Sequence, residues 1–198
     1  MVELAEYNTC VIEILTEEPS MEHFLRGVLP NVLPDDYKID VNCFIRAHRG
    51  KSDLKRSIPK KMQAYHTYGY PVKVLILHDQ DSNDCKSLKN ELVALCGITT
   101  IPYFVRIACK ELENWYLGQL SAIEKVYPET KASLLVNKKK YRNPDLLHGA
   151  DEMNRMTRNF SKTQAAREIS QYIDINNNKS PSFNHTITAI RQLCRWQN

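Results

Sequence analysis

The sequence predicts an α/β protein: a mostly parallel sheet flanked by helices, with a C-terminal helical extension. Three observations predict it. Short β-branched runs alternate with stretches of helical periodicity through the first 111 residues. The run Val72 to Asp79 is the most apolar of the chain, as befits a central parallel strand buried on both faces. Acids and turn formers stand where these runs end, at the βα junctions.

The elements follow in order. CVIEILT, Cys10 to Thr16, reads as a strand closed by Glu17 and Glu18, and Pro19 and Ser20 open a helix. Met21, Phe24, Leu25, Val28 and Leu29 recur at helical spacing until Pro30 and Pro34. YKIDVNCFIRA predicts a second, longer strand. After Gly50, Ser52 and Asp53 offer a cap to a helix with Leu54, Ile58, Met62 and Tyr65 on one face, with Pro59 near its start or at a kink. The strand Val72 to Asp79, a helix from Cys85 to Leu95 and a strand from Thr100 to Ala108 complete a β-α-β-α-β-α-β order. Right-handed crossovers put the C-terminal ends of such strands on one edge. Beyond Glu111 the pattern turns helical, over Asn114 to Val126, Asp145 to Met156, Lys162 to Ile173 and Ser182 to Trp196.

A chain of 198 residues predicts one domain over 1–198, with an α/β core over 1–111 and the helices of 112–198 packed on it. Its 42% hydrophobic and 25% charged residues give no reason to expect disorder. The formal net charge of +4 favours an anionic partner only slightly. The basic residues are clustered, however: Arg46, His48, Arg49, Lys51, Lys55, Arg56, Lys60 and Lys61 in one stretch, Lys138, Lys139, Lys140 and Arg142 in another. Taken alone such a run is an ordinary solvated face; beside an acidic motif it is a candidate phosphate track. The six cysteines contain no C-x-x-C pair and fit a reducing, cytoplasmic setting. No secretory leader and no run of about 18 apolar residues is evident, so no membrane association is expected.

The acids carry the chemistry. In open α/β sheets ligands bind outside the carboxyl ends of the strands, and Glu17 and the Asp79, Asp81 pair stand at two such ends. Mg²⁺ takes oxygen ligands and keeps several waters, so one or two carboxylates plus a substrate phosphate hold it. Converging acids repel one another unless a cation offsets their charge. A lone D-x-D also has a plain turn reading, which Ser82, Asn83 and Asp84 support. Glu111 and Glu113 follow the last strand, either as helix N-terminal acids or as further ligands. His78 is expected on the strand face opposite Asp79, as a structural or orienting group. The sequence has no H-E-x-x-H, G-x-S-x-G, Walker loop or G-x-G-x-x-G, which disfavours zinc sites, hydrolase triads, P-loop ATPases and dinucleotide binding.

A strand ending in Glu17, a helix, and an apolar strand ending in Asp79-Gln80-Asp81 resemble the TOPRIM domain of topoisomerases, primases and OLD-type nucleases. EEPSMEHFL, HRGKSDLKR, LILHDQDSNDC, RIACKELENWYLG, NKKKYRNPDLL and SPSFNHTITAIRQL, in that order, are similar to a bacterial TOPRIM-like family long labelled a domain of unknown function. Members of that family often sit beside an AAA- or ABC-type ATPase in anti-phage defence loci. The resemblance implies a TOPRIM-like, Rossmann-like fold and a Mg²⁺- or Mn²⁺-dependent endonuclease. Glu17 matches the TOPRIM glutamate; Asp79 and Asp81 match its aspartate pair. Glu22, Lys51, Asp53, Asp84, Glu111, Glu113 and Lys162 match family positions that look functional. Glu18 stands where many relatives have Gly, and Gln119 where an acid is common.

The expected function is therefore cleavage of DNA or RNA, with Glu17, Asp79 and Asp81 catalytic. Metal would be held by these three and by Glu111 and Glu113, and nucleic acid by Arg49, Lys51, Lys138, Lys139 and Lys140. An ATPase encoded nearby is the expected partner, and a homo-oligomer is compatible with the sequence. The alternative is a non-catalytic subunit that binds nucleic acid or the ATPase. A weaker third reading is an Asp-x-Asp phosphatase acting on small phosphate esters.

Overall fold

In the computed structural model, which describes residues 10–196, strands and helices alternate as the sequence predicts. β1 (Val11–Thr16), α1 (Pro19–Val28), β2 (Cys43–Ala47), α2 (Lys51–Tyr65), β3 (Val72–Asp79), α3 (Cys85–Cys96) and β4 (Tyr103–Ala108) build a four-stranded sheet. Every pairing is parallel, in the order β2-β1-β3-β4. The chain leaves β1 for β2 on one side, then crosses back to β3 and β4 on the other. The crossovers thus diverge between β1 and β3, and in open α/β sheets a crevice for ligands lies at the carboxyl end of that point.

Strand alternation sorts the apolar residues into two cores. Ile12, Ile14, Leu75 and Leu77 pack on one face with Phe24 and Leu25 of α1; Leu15, Val74 and Ile76 pack on the other with Leu54 and Ile58 of α2 and Leu88 of α3. β3 is buried along its whole length, which is why its sequence shows no amphipathic alternation.

The C-terminal part supplies α4 (Glu113–Leu117), α5 (Leu120–Val126), α6 (Gly149–Met156), α7 (Lys162–Ile169) and α8 (Pro181–Arg195). These helices complete the α1 core, burying Trp115, Ala165, Ala166, Ile169, Phe183 and Ile190 against it. The residues following α7 lie so close to α1 that a Cβ on Gly27 would stand 2.1 Å from Ser170 Oγ. Only glycine allows that approach, and the approach brings the start of α7 towards the end of β1.

The structure corrects several boundaries. β2 begins at Cys43, not near Tyr37, because polar side chains compete with the ladder. Asn42 accepts the Lys38 N–H at 2.7 Å and donates to the Asp36 carbonyl at 2.7 Å, while Asp40 takes a positive φ of 63° and pairs with Arg26. β4 starts at Tyr103 rather than Thr100. The helix expected over Asn114 to Val126 breaks at Gln119, whose side chain instead bonds the Tyr172 carbonyl and the Asp174 N–H. α6 begins at Gly149, after a 3-10 turn over Pro144–Leu146, and α7 ends at Ile169. α2 runs through Pro59, which lies well inside it rather than near its start. All six cysteines are free thiols, and among the described residues no helix is long and apolar enough to cross a membrane.

Candidate acidic site at the strand ends

Four loops are tied together in pairs at the C-terminal edge of the sheet. After β2, Gly50 adopts φ 90° and ψ 174°, a conformation only glycine takes without strain, and its N–H donates to the Glu17 carbonyl at 2.9 Å. Buried His48 donates its backbone N–H to the Thr16 carbonyl at 3.0 Å and braces the same loop with its ring, which contacts Thr16 O at 2.8 Å and Ser57 Oγ at 2.6 Å. The Asp53 carboxylate accepts the Arg49 N–H at 3.0 Å, so Asp53 steadies the start of α2 from within it. The loop after β3 is fastened to the one after β4. Asp81, at φ 50°, donates its N–H to the Lys110 carbonyl at 2.7 Å, and the Lys110 N–H donates to Gln80 Oε1 at 3.1 Å. Asp84 caps α3 by accepting the Ser87 N–H.

The register sets which acids meet. Thr16 is paired with Leu77, so Glu17 follows on beside His78, while Asp79 projects to the other face. His78 stands on the face opposite Asp79, as expected, and there its Nδ1 lies 2.9 Å from Glu17 Oε2, because Glu17 is its neighbour across the ladder. The Asp79 N–H donates to the same Glu17 oxygen at 3.3 Å. Burial raises the Glu17 pKa, but the hydrogen bond and charge of His78, the Asp79 N–H and Lys51 outweigh it, leaving the carboxyl below its ordinary value.

Asp79 and Glu113 behave in the opposite way. Their residues are only 6% and 1% exposed. Burial, then the nearby Glu113, Glu17, Glu18 and Asp81, drive Asp79 well above the usual carboxylate range. Burial likewise pushes Glu113 up to about 7, against the opposing charge of Lys162. Lys162 opens α7 and lies 3.7 Å from Glu113 and 3.8 Å from Glu111. Burial would lower its pKa, yet the surrounding acids leave it raised. Glu111 also accepts the Ala150 N–H at 3.2 Å.

Among the described residues, five buried side-chain polar atoms lack a hydrogen-bond partner: His78 Nε2, Asp79 Oδ1, Glu113 Oε2, Asn114 Oδ1 and Tyr116 Oη. All five belong to the end of β3 or to α4. Buried polar groups in folded proteins are nearly always satisfied, so a group of orphans in one place calls for water, a ligand or an ion. Apart from His78 Nε2 these atoms are oxygens, and the Asp79 and Glu113 carboxylates suit Mg²⁺ or Mn²⁺ rather than zinc. Among the described residues no three His, Cys, Asp or Glu side chains stand close enough together to hold an ion by themselves. The site therefore fits a cation carried by one or two carboxylates and completed by water and a substrate phosphate.

The structure thus brings Glu17, Asp79, Glu111 and Glu113 into one electrostatic cluster. Asp81 sits at its exposed rim, 3.5 Å from Lys51 Nζ. Arg49 is exposed on the same edge, in the loop before α2. Lys138 and Lys139 are exposed, whereas Lys140 is held at 2.5 Å by Glu152. Sequence reasoning treated Glu18 only as a departure from the family pattern, yet its charge acts on Asp79, Glu113 and Lys162, and it accepts the Ser20 hydroxyl at 2.5 Å. It also missed Tyr116, whose pKa is driven up by burial and by Glu113 and Asp79. Nothing in a short apolar helix signals that one hydroxyl is left without a partner.

In the comparison with known families the chain matches the family described as Domain of unknown function (DUF4276), over residues 16–191. The chain belongs to that family. The DUF4276 match begins at the last residue of β1 and takes in every acid of the cluster, together with Lys51 and Lys162. No curated protein and no solved structure matches the chain.

Proposed function

We propose that this DUF4276 chain is a Mg²⁺- or Mn²⁺-dependent nuclease of TOPRIM type, hydrolysing phosphodiester bonds in DNA or RNA as the effector partner of an AAA- or ABC-type ATPase in anti-phage defence. The observation that carries the reading is the pair of buried carboxylates with partnerless oxygens, Asp79 and Glu113, beside the β1/β3 switch point. The TOPRIM resemblance of the Glu17 and Asp79-Gln80-Asp81 segments supplies the reaction class.

Asp79 and Glu113 would hold the cation, with the charges of Glu17, Asp81 and Glu111 around them. A bound divalent ion supplies Lewis-acid polarisation of the phosphate and acidifies a bound water. Glu17, kept ionised by His78, is the group suited to accept a proton from the attacking water. Lys162 and Lys51 bring positive charge to the two sides of the cluster, where a phosphate with its extra negative charge must sit. Arg49 and the exposed Lys138 and Lys139 would extend that charge along a bound strand, whereas Lys140 is already paired with Glu152.

The test is cleavage of plasmid DNA and of RNA in Mg²⁺ or Mn²⁺, with the ATPase partner present and absent. Wild type should cut in at least one condition, and Asp79→Ala and Glu17→Ala should not. Variants that cut as well as wild type would remove the site assignment. A second reading, a non-catalytic subunit binding nucleic acid or the ATPase, has one observation on its side: no three acids stand ready to hold an ion. Calorimetric titration separates the two, since that subunit gives no Mg²⁺ or Mn²⁺ signal even with partner and DNA present.

A further inference from the structure

A cavity of about 360 Å³ lies along the free edge of β4 between α3 and α8. Its floor is Val105 and Ile107; its polar wall is Lys89 from α3, Arg106 from β4 and His185 from α8. Lys89 and His185 are four residues along from Cys85 and Pro181, so both helices turn the same face to the cavity that their first residues do.

The charge on this wall is unspent. Arg106 donates only to backbone carbonyls, Nε to His185 O at 3.2 Å and Nη1 to Val105 O at 3.1 Å, while its guanidinium lies 4.9 Å from the Phe104 ring centroid. Burial alone, with no acid beside it, pulls Arg106 below its ordinary pKa. The acid facing the cavity, Asp145, is already committed: it accepts the Ser180 hydroxyl at 2.5 Å and the Ser182 N–H at 2.8 Å. The other titratable groups there are the thiols of Cys85 and Cys109; burial holds the Cys109 thiol up at about 11, so it stays neutral. A cationic fork, an ammonium and an imidazole around one opening match the oxygens of a phosphate group.

The cavity adjoins the acidic cluster. Cys109 lines it, and Glu111 is two residues further on, at most about 7 Å away along the chain. We propose that this cavity is a phosphate subsite, built by Arg106, Lys89 and His185, that grips a backbone phosphate of the same nucleic-acid strand whose scissile phosphate lies at Asp79 and Glu113. It rests on the nuclease reading for the identity of the strand, while the pocket's affinity for phosphate stands by itself. The subsite fixes the strand's direction across the sheet edge, so its loss costs substrate affinity more than turnover.

The experiment is ¹H–¹⁵N NMR titration of the metal-free full chain in EDTA, first with inorganic phosphate and then with a short single-stranded oligonucleotide. Phosphate should shift the amides of Ile107 and His185, and the oligonucleotide should displace it. Lys89→Gln, a change on an exposed helix face, and Arg106→Gln should each weaken phosphate binding at least about tenfold. Asp79→Asn should leave it unchanged. In cleavage assays Lys89→Gln should raise KM with kcat preserved. Phosphate shifts that fall elsewhere, or that survive both substitutions, overturn the proposal, and phosphate that the oligonucleotide fails to displace overturns the strand assignment. Phosphate binding at the cavity in a protein that never cuts leaves the subsite standing and removes only the nuclease reading.

Discussion

Two buried acids on neighbouring strands have opposite surroundings. Glu13, in the middle of β1, accepts two hydrogen bonds from Arg46, at 3.0 and 3.1 Å, and a third from the Tyr65 hydroxyl at 3.2 Å. Asp79, at the end of β3, lies in the field of Glu113, Glu17, Glu18 and Asp81 with one oxygen unbonded. Both residues are almost inaccessible to water. Burial of a carboxylate therefore does not separate the two; hydrogen-bond satisfaction does. A paired acid holds the sheet and α2 together, whereas an unpaired one costs stability in its ionised form.

The largest effect that tests this contrast is on cleavage. Asp79→Ala should lower the rate at least about 100-fold, about 2.7 kcal/mol of barrier. Glu13→Gln should leave the rate per folded molecule unchanged. Equal losses in the two variants would erase the distinction between them.

The next effect is on stability as a function of pH. Glu113 has a folded pKa of about 7 against an ordinary 4.5. The sign follows: its stabilising contribution is whole below 4.5 and is lost as pH rises through about 7. In metal-free protein this loss is on the order of 3 kcal/mol, and Glu113→Gln should flatten that part of the profile in urea-unfolding measurements. Added Mn²⁺ should restore stability progressively over the same window, because ion binding displaces the protons. A Glu113→Gln profile that parallels wild type would show that this carboxyl is not the group under strain.

Smaller effects separate the two acids by thermal or urea unfolding. Glu13→Gln should destabilise by about 1–3 kcal/mol, since Arg46 and the buried Tyr65 hydroxyl lose an ionised acceptor. Asp79→Asn should leave metal-free protein as stable as before or more so. The smallest effect belongs to Glu152, where Lys140, Arg155 and Tyr141 converge on one carboxylate. Burial opposes ionisation there, but these partners outweigh it and lower the pKa. Its contribution is thus present above the unfolded value and lost as pH falls through the lowered one. Glu152→Gln should cost about 1 kcal/mol at neutral pH, less in high salt, because both cations are well exposed.

Much of the frame was legible because apolar pattern is local. β3 could be read to its last residue from the most apolar run of the chain, and the helix expected from Cys85 to Leu95 is α3 to within a residue. β2 could not, because Asn42 and Asp40 replace the ladder with side-chain bonds that composition does not reveal. Of the site, the strand-end acids were legible from position, and Glu111 and Glu113 from their place after β4. The contact between Glu17 and His78 was not, since it follows from the β1–β3 register, a long-range property. Nor was the contrast between Glu13 and Asp79: satisfaction depends on Arg46 and Tyr65, which are 33 and 52 residues from Glu13 in the chain.

The most direct test is calorimetric titration of Mn²⁺ into wild type, Asp79→Asn and Glu113→Gln at about pH 8, above the Glu113 value of about 7. Wild type should bind the ion with release of protons, and each variant should lose most of the affinity while remaining folded. Equal binding by all three, or none by wild type with nucleic acid and the ATPase partner present, would contradict a cation site at Asp79 and Glu113.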